Sequence, residues 1–67
     1  SKIALRLSEI ELQIQPMIEQ AQKLKKDAQT SKMKVLEQSA DSLGQSLVAI
    51  SQKLGSFQQS NHSINQL

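Results

Sequence analysis

Apolar residues recur through this chain at alternating steps of three and four, in two runs that are out of phase by one residue. The first run is Ile3, Leu7, Ile10, Ile14, Met17, Ala21, Leu24 and Ala28. The second is Met33, Leu36, Ala40, Leu43, Leu47, Ile50, Leu54 and Phe57, and Asn61 and Ile64 keep its rhythm. A mean spacing of about 3.5 is the seam of a helix that packs lengthwise on other helices. Carrying the first rhythm forward lands on Ser31 and Val35, so a discontinuity lies between residues 28 and 33. The pattern predicts an all-α chain of two long amphipathic helices.

The discontinuity holds no Gly or Pro, but it gathers the weak helix formers Gln29, Thr30 and Ser31. Two architectures fit it. In the favoured one the chain folds back as an antiparallel helical hairpin, with arm one over about 3–28, a joint at 29–32, arm two over about 33–57 and a polar tail at 58–67. Thr30 or Ser31 would cap the second arm. Each arm would be about 39 Å long at 1.5 Å per residue, and its unpaired edge would join another hairpin in a helical bundle. In the alternative a single coiled-coil helix of up to roughly 90 Å absorbs the offset as a local distortion of its supercoil.

The first arm is the less regular of the two. Pro16 lacks an amide proton and costs about 3 kcal/mol inside a helix, although the first register puts it on the outer face, where a bend is tolerated. Before it, Ile3, Leu5, Leu7 and then Ile10, Leu12, Ile14 alternate with polar or small residues, as in a half-buried strand. Ser8 and Glu11 form an [ST]-x-x-E capping box that would start a helix at residue 9, leaving 2–7 as a short N-terminal strand ahead of two helices. The second arm is cleaner. Gly44 and Gly55 interrupt it, each marking either a helix end or a close approach of another backbone.

A chain of 67 residues is a single small domain, and such a domain buries only about 60% of the surface its unfolded form exposes. Without cysteines or grouped metal ligands it has no covalent or metal staple, so the missing core is expected from copies of itself or from a helical protein partner. One aromatic residue, Phe57, and a Gln- and Ser-rich surface suit extended helices better than a compact mixed core. The longest apolar stretch, Leu47 to Ile50, is far short of the roughly 20 residues of a spanning helix, which predicts a soluble chain. Its start at Ser1 reads as a segment of something longer, and its lack of cysteine suits a reducing compartment such as the cytoplasm.

Five of the eight basic residues, Lys23, Lys25, Lys26, Lys32 and Lys34, fall within twelve positions and face only Asp27. In a hairpin they converge on the tip, where they solvate the turn and complement the C-terminal end of the first helix. They also offer a contact for phosphates or anionic headgroups. The cluster contains no arginine and no interleaved aromatic, so any nucleic-acid contact there would be independent of base sequence.

Nothing in the sequence composes a catalytic, cofactor or metal site, and the chain is read as a non-enzyme. His62 is the sole histidine and lies in the polar tail; Glu9 and Glu11 are two apart and diverge around a helix; Glu37 and Asp41 share a face but lack the Glu-x-x-His elements of di-metal bundles. No phosphate-binding glycine loop or nucleophile motif is present.

The opening Lys2-Ile3-Ala4-Leu5-Arg6-Leu7, followed by Ser8-Glu9-Ile10, resembles the start of ribbon-helix-helix DNA-binding proteins. That resemblance implies a dimer whose paired strands put Lys2, Ala4 and Arg6 into the major groove. Pro16, the long interval from Ser8 to Thr30 and the missing interhelical Gly depart from the family pattern. In its size, its arms and the Leu24-Lys25-Lys26-Asp27 end of arm one, the chain is also similar to small helical-hairpin cochaperones of secretion systems.

The reading that uses most of the chain is a protein–protein interaction or assembly module acting through its apolar seams. The residues expected to carry it are Ile10, Ile14, Met17 and Leu24 on the first arm. On the second they are Met33, Leu36, Leu43, Leu47, Ile50, Leu54 and Phe57. The alternative is a small nucleic-acid-binding dimer using Lys2, Ala4 and Arg6.

Overall fold

The computed structural model describes residues 2–59, and these form two helices, α1 (Lys2–Thr30) and α2 (Lys34–Gln59), packed side by side. Cross-helix neighbours run in opposite directions along the two sequences: Ser8 meets Gln58, Ala21 lies beside Gly44 and Lys25 binds Asp41. The chain is therefore an antiparallel hairpin, not one continuous rod. Residues 60–67, which include Asn61, His62, Ile64 and Leu67, lie outside the described part, so the expectations for the polar tail beyond Gln59 do too. Neither described helix is long and apolar enough to cross a membrane.

No strand occurs among the described residues, and the first two turns of α1 occupy the positions where alternation suggested one. The alternation at Ile3, Leu5 and Leu7 is overridden because Ala4 and Leu7, three apart, sit together on the face that meets α2, whereas Leu5 is left in solvent. Ser8 and Glu11 do not cap a helix start either. They lie one turn apart within α1 and bind across to α2 instead. Pro16 is carried inside α1 at an exposed position. Its missing N–H leaves the carbonyl of Leu12 without its helical donor, and Leu12 is itself strongly exposed, so water can satisfy that oxygen.

The reversal takes three residues. Met33 N–H donates to the Ala28 carbonyl at 2.9 Å and Lys32 N–H to the Gln29 carbonyl at 3.2 Å, the paired bonds of a Schellman C-cap. Lys32 occupies the left-handed position of that motif, with φ 59°, where glycine is the usual residue. Thr30 and Ser31 do not cap α2: the Thr30 hydroxyl donates back to the Lys26 carbonyl at 3.1 Å, and Ser31 N–H still bonds Asp27 within the last turn of α1. The carbonyl of Met33 accepts the first bond of α2, from Glu37 N–H at 2.9 Å, which makes Met33 the N-cap residue although its side chain offers no oxygen to the helix end.

The core is thin. Among the described residues its buried members are Ile14, Ile18, Ala21 and Ala28 of α1 with Ala40 of α2, and no buried polar group accompanies them. Fully burying an isoleucine contributes about 1.5–3 kcal/mol and alanine much less, so two isoleucines and three alanines make a small core, to which Leu7, Leu36, Leu47 and Leu54 add half-buried surface. Both glycines lie within α2. Neither marks a helix end or a forced close approach: a Cβ added at Gly44 would stand 3.8 Å from the Cβ of Ala21 and one at Gly55 3.6 Å from Glu11 Oε1, both ordinary contacts.

Candidate interaction surface

On α1 the residues that are not exposed are Ala4, Leu7, Glu11, Ile14, Ile18, Ala21, Lys25 and Ala28, again in alternating steps of three and four. This column shares Leu7, Ile14, Ala21 and Ala28 with the apolar run read from the sequence. At the other positions it is turned by one residue, to Ala4, Glu11, Ile18 and Lys25 in place of Ile3, Ile10, Met17 and Leu24. Helix α2 does the same. Ala40, Leu47 and Leu54 face α1 as expected, but Gly44, Ser51 and Gln58 stand where Leu43, Ile50 and Phe57 were anticipated.

The apolar stripe on each helix is thus wider than the contact between the helices. Apart from Ile18, the flank on which the hairpin closes carries small and polar residues, and the flank that carries the other large ones is left outside. Of the residues predicted to form the seam, Ile14, Leu36, Leu47 and Leu54 are buried or half-buried. Ile10, Met17, Leu24, Leu43, Ile50 and Phe57 keep between 41% (Leu24) and 57% (Phe57) of their surface in solvent, and Met33 is exposed at the turn. Ile3, one heptad before Ile10, is exposed in the same way.

The two outer columns belong to one edge of the hairpin. Gln22 of α1 and Asp41 and Val48 of α2 flank the seam on the opposite edge, where together they line a single open groove of about 340 Å³. Since that flank of both helices shares one edge, the other flank of both must share the other. Ile3, Ile10, Met17 and Leu24 recur every seven residues on α1, as do Leu36, Leu43, Ile50 and Phe57 on α2. The register set by Ala21 opposite Gly44 and Lys25 opposite Asp41 brings Ile10 level with Phe57, Met17 with Ile50 and Leu24 with Leu43. The result is a continuous apolar face with no charged residue in either column.

The opposite edge holds the specific cross-helix bonds, with Leu12 and Val48 exposed beside them. Lys25 Nζ donates to Asp41 Oδ1 at 2.8 Å, and Asp41 Oδ2 accepts from Gln45 Nε2 at 3.0 Å. The Asp41 carboxylate raises the Lys25 pKa above its ordinary 10.5, chiefly through the hydrogen bond and then through its charge. Toward the open end, the Gln58 amide lies between Ser8 Oγ at 3.1 Å and Glu11 Oε2 at 2.9 Å, with its NH2 donating to Glu11 and its carbonyl accepting from Ser8. These polar seam positions carried no hydrophobic signal. Only knowledge of which flank faces the partner helix makes them visible.

Of the tip lysines, Lys25 is engaged with Asp41, whereas Lys23, Lys26, Lys32 and Lys34 are exposed and make no salt bridge among the described residues. Arg6 pairs loosely with Glu9, 3.8 Å away on the same exposed helix face, a geometry worth little energy. The described residues include no group of three or more His, Asp or Glu placed to hold a metal. Glu37 and Asp41 are both half-buried, and Asp41 is occupied by Lys25 and Gln45. No protein-family model matches this chain, and neither a curated protein nor a solved structure is significantly similar to it.

Proposed function

We propose that this chain is a non-enzymatic interaction or assembly module that works by presenting the Ile10–Leu24 and Leu43–Phe57 face to helical protein. The observation that carries this reading is the one-sidedness of the hairpin. Two columns of large apolar residues, with Phe57 among them, remain half-exposed along one edge, while Ala21, Ala28, Ala40 and Gly44 take up much of the seam. A thin core offers little to stabilise an isolated hairpin, and contiguous apolar patches of this kind mark surfaces that are covered by another protein. The strand that groove-reading by Lys2, Ala4 and Arg6 requires is replaced by helix, so the nucleic-acid alternative has no supporting observation.

Site-specific photo-crosslinking in the cells that make the protein tests this reading. A photoreactive residue at Leu43 or Ile50 should capture protein in good yield, and the same residue at Gln22 or Gln45, on the opposite edge, should capture little. Equal yields from both edges, or no capture from the apolar one, would refute the assignment. A second comparison separates the face from the seam: Leu43→Glu should abolish capture and lower helicity only as far as loss of the partner does, whereas Leu47→Glu should melt the hairpin outright, because a charge in the seam costs several kcal/mol.

A further inference from the structure

Resting on that reading of the face, we propose that its occupant is a second copy of this chain, packed face to face with the two turns at opposite ends, to make an antiparallel four-helix bundle.

Size is the first argument. The 26 residues of α2 give a face about 39 Å long at 1.5 Å per residue, and two adjacent helices of about 10 Å diameter make it about 20 Å wide. A footprint on the order of 800 Å² is what each partner of a specific interface contributes. Self-complementarity is the second. A two-fold axis crossing the face at the level of Met17 and Ile50 sets each of these residues against its own copy. It also brings Ile10 of one chain to Leu24 of the other and Leu43 to Phe57, so these layers are apolar on apolar.

Charge fixes the direction. Lys23, Lys25, Lys26, Lys32 and Lys34 surround the turn, opposed there by Asp27, Glu37 and Asp41. Packing with the turns together would superimpose two positive ends; packing with the turns apart separates them. The same axis carries Asp27 of one copy to the level of Arg6 of the other, twice per dimer. Both residues lie along the rim of the apolar face, one helical position outside its α1 column. Asp27 makes no ion pair among the described residues, and it sits in the last turns of α1, where the helix dipole disfavours a carboxylate. Arg6 is held only by its loose contact with Glu9.

Sedimentation equilibrium and a distance between spin labels test the proposal. The chain of 7.4 kDa should sediment at twice that mass. With a nitroxide on Ser31→Cys, the two labels should lie about a helix length apart, roughly 40 Å. Arg6→Asp should weaken the dimer about tenfold, and adding Asp27→Arg should restore it. Both sites are on the exposed surface, so circular dichroism should stay unchanged throughout. A dimer whose labels lie within about 20 Å, about two helix diameters, has the turns together and overturns the orientation. A helical monomer at hundreds of micromolar, with Ile50 crosslinking to a heavier protein, overturns the second copy and leaves the interaction reading standing. A helical monomer that captures nothing removes both.

Discussion

The Cβ of Ala21 lies 3.8 Å from where a Cβ on Gly44 would stand, an ordinary van der Waals separation. Glycine is therefore not forced at this point of the seam: the space admits one methyl group. Because glycine in a helix interior costs about 1 kcal/mol relative to alanine, Gly44→Ala should stabilise the hairpin by roughly 0.5–1 kcal/mol. A urea midpoint that rises by the corresponding amount, with an unchanged slope, is the expected result. A fall would mean that α1 and α2 approach more closely here than described.

Lys32 at φ 59° holds a left-handed conformation that costs a side-chain-bearing residue about 1–2 kcal/mol. Lys32→Gly should recover about 1 kcal/mol of this, offset in part by the greater freedom glycine has in the unfolded chain. Thermal unfolding followed by circular dichroism would show a higher midpoint. The same substitution at Lys34, inside α2, should lower it.

The Lys25–Asp41 bridge predicts a loss of stability at the alkaline end. The folded state holds Lys25 above its ordinary value of 10.5, so it binds the proton more tightly than the unfolded chain does. That contribution is fully present below pH 10.5 and is lost as pH rises through the higher folded value. Urea midpoints taken at pH 9 and again above pH 11 should fall more steeply in the wild type than in Asp41→Asn. Parallel curves for the two proteins would show that the bridge has no energetic role. Both side chains are substantially exposed, so salt should reduce the difference.

The hairpin itself was legible in the sequence from the one-residue offset between two helical runs, and the turn fell close to where the offset put it. The face used to close the hairpin was legible only in part. Periodicity identified Leu7, Ile14, Ala21, Ala40, Leu47 and Leu54, the residues shared by two overlapping columns. It could not choose between the columns on either side, and the three-four rhythm of apolar residues ran through Ile10, Met17, Leu43 and Ile50 instead of Glu11, Ile18, Gly44 and Ser51. Helices separated by small residues pack closely, and that geometric gain has no signature in hydropathy. The cap at Lys32 escaped notice for a related reason, since a lysine in the left-handed position carries no local signal that glycine would have given. The Ser8–Glu11 pair was found and given the wrong task, because a capping box and a cross-helix amide clamp use the same spacing.

The two edges of the hairpin are unequal, one carrying the continuous columns from Ile10 to Leu24 and from Leu43 to Phe57 and the other setting Gln22, Asp41 and Gln45 around Val48. In the proposed dimer the first edge is covered and Gln22, Asp41 and Gln45 meet solvent on the remaining side, where Leu12 and Val48 are too far apart to make a second continuous strip. A two-fold pair formed in this way would be a closed unit. Had Val48 been joined by large aliphatic residues at Gln15 and Gln22, the same fold would carry two sticky edges and be a monomer unit for a fibre.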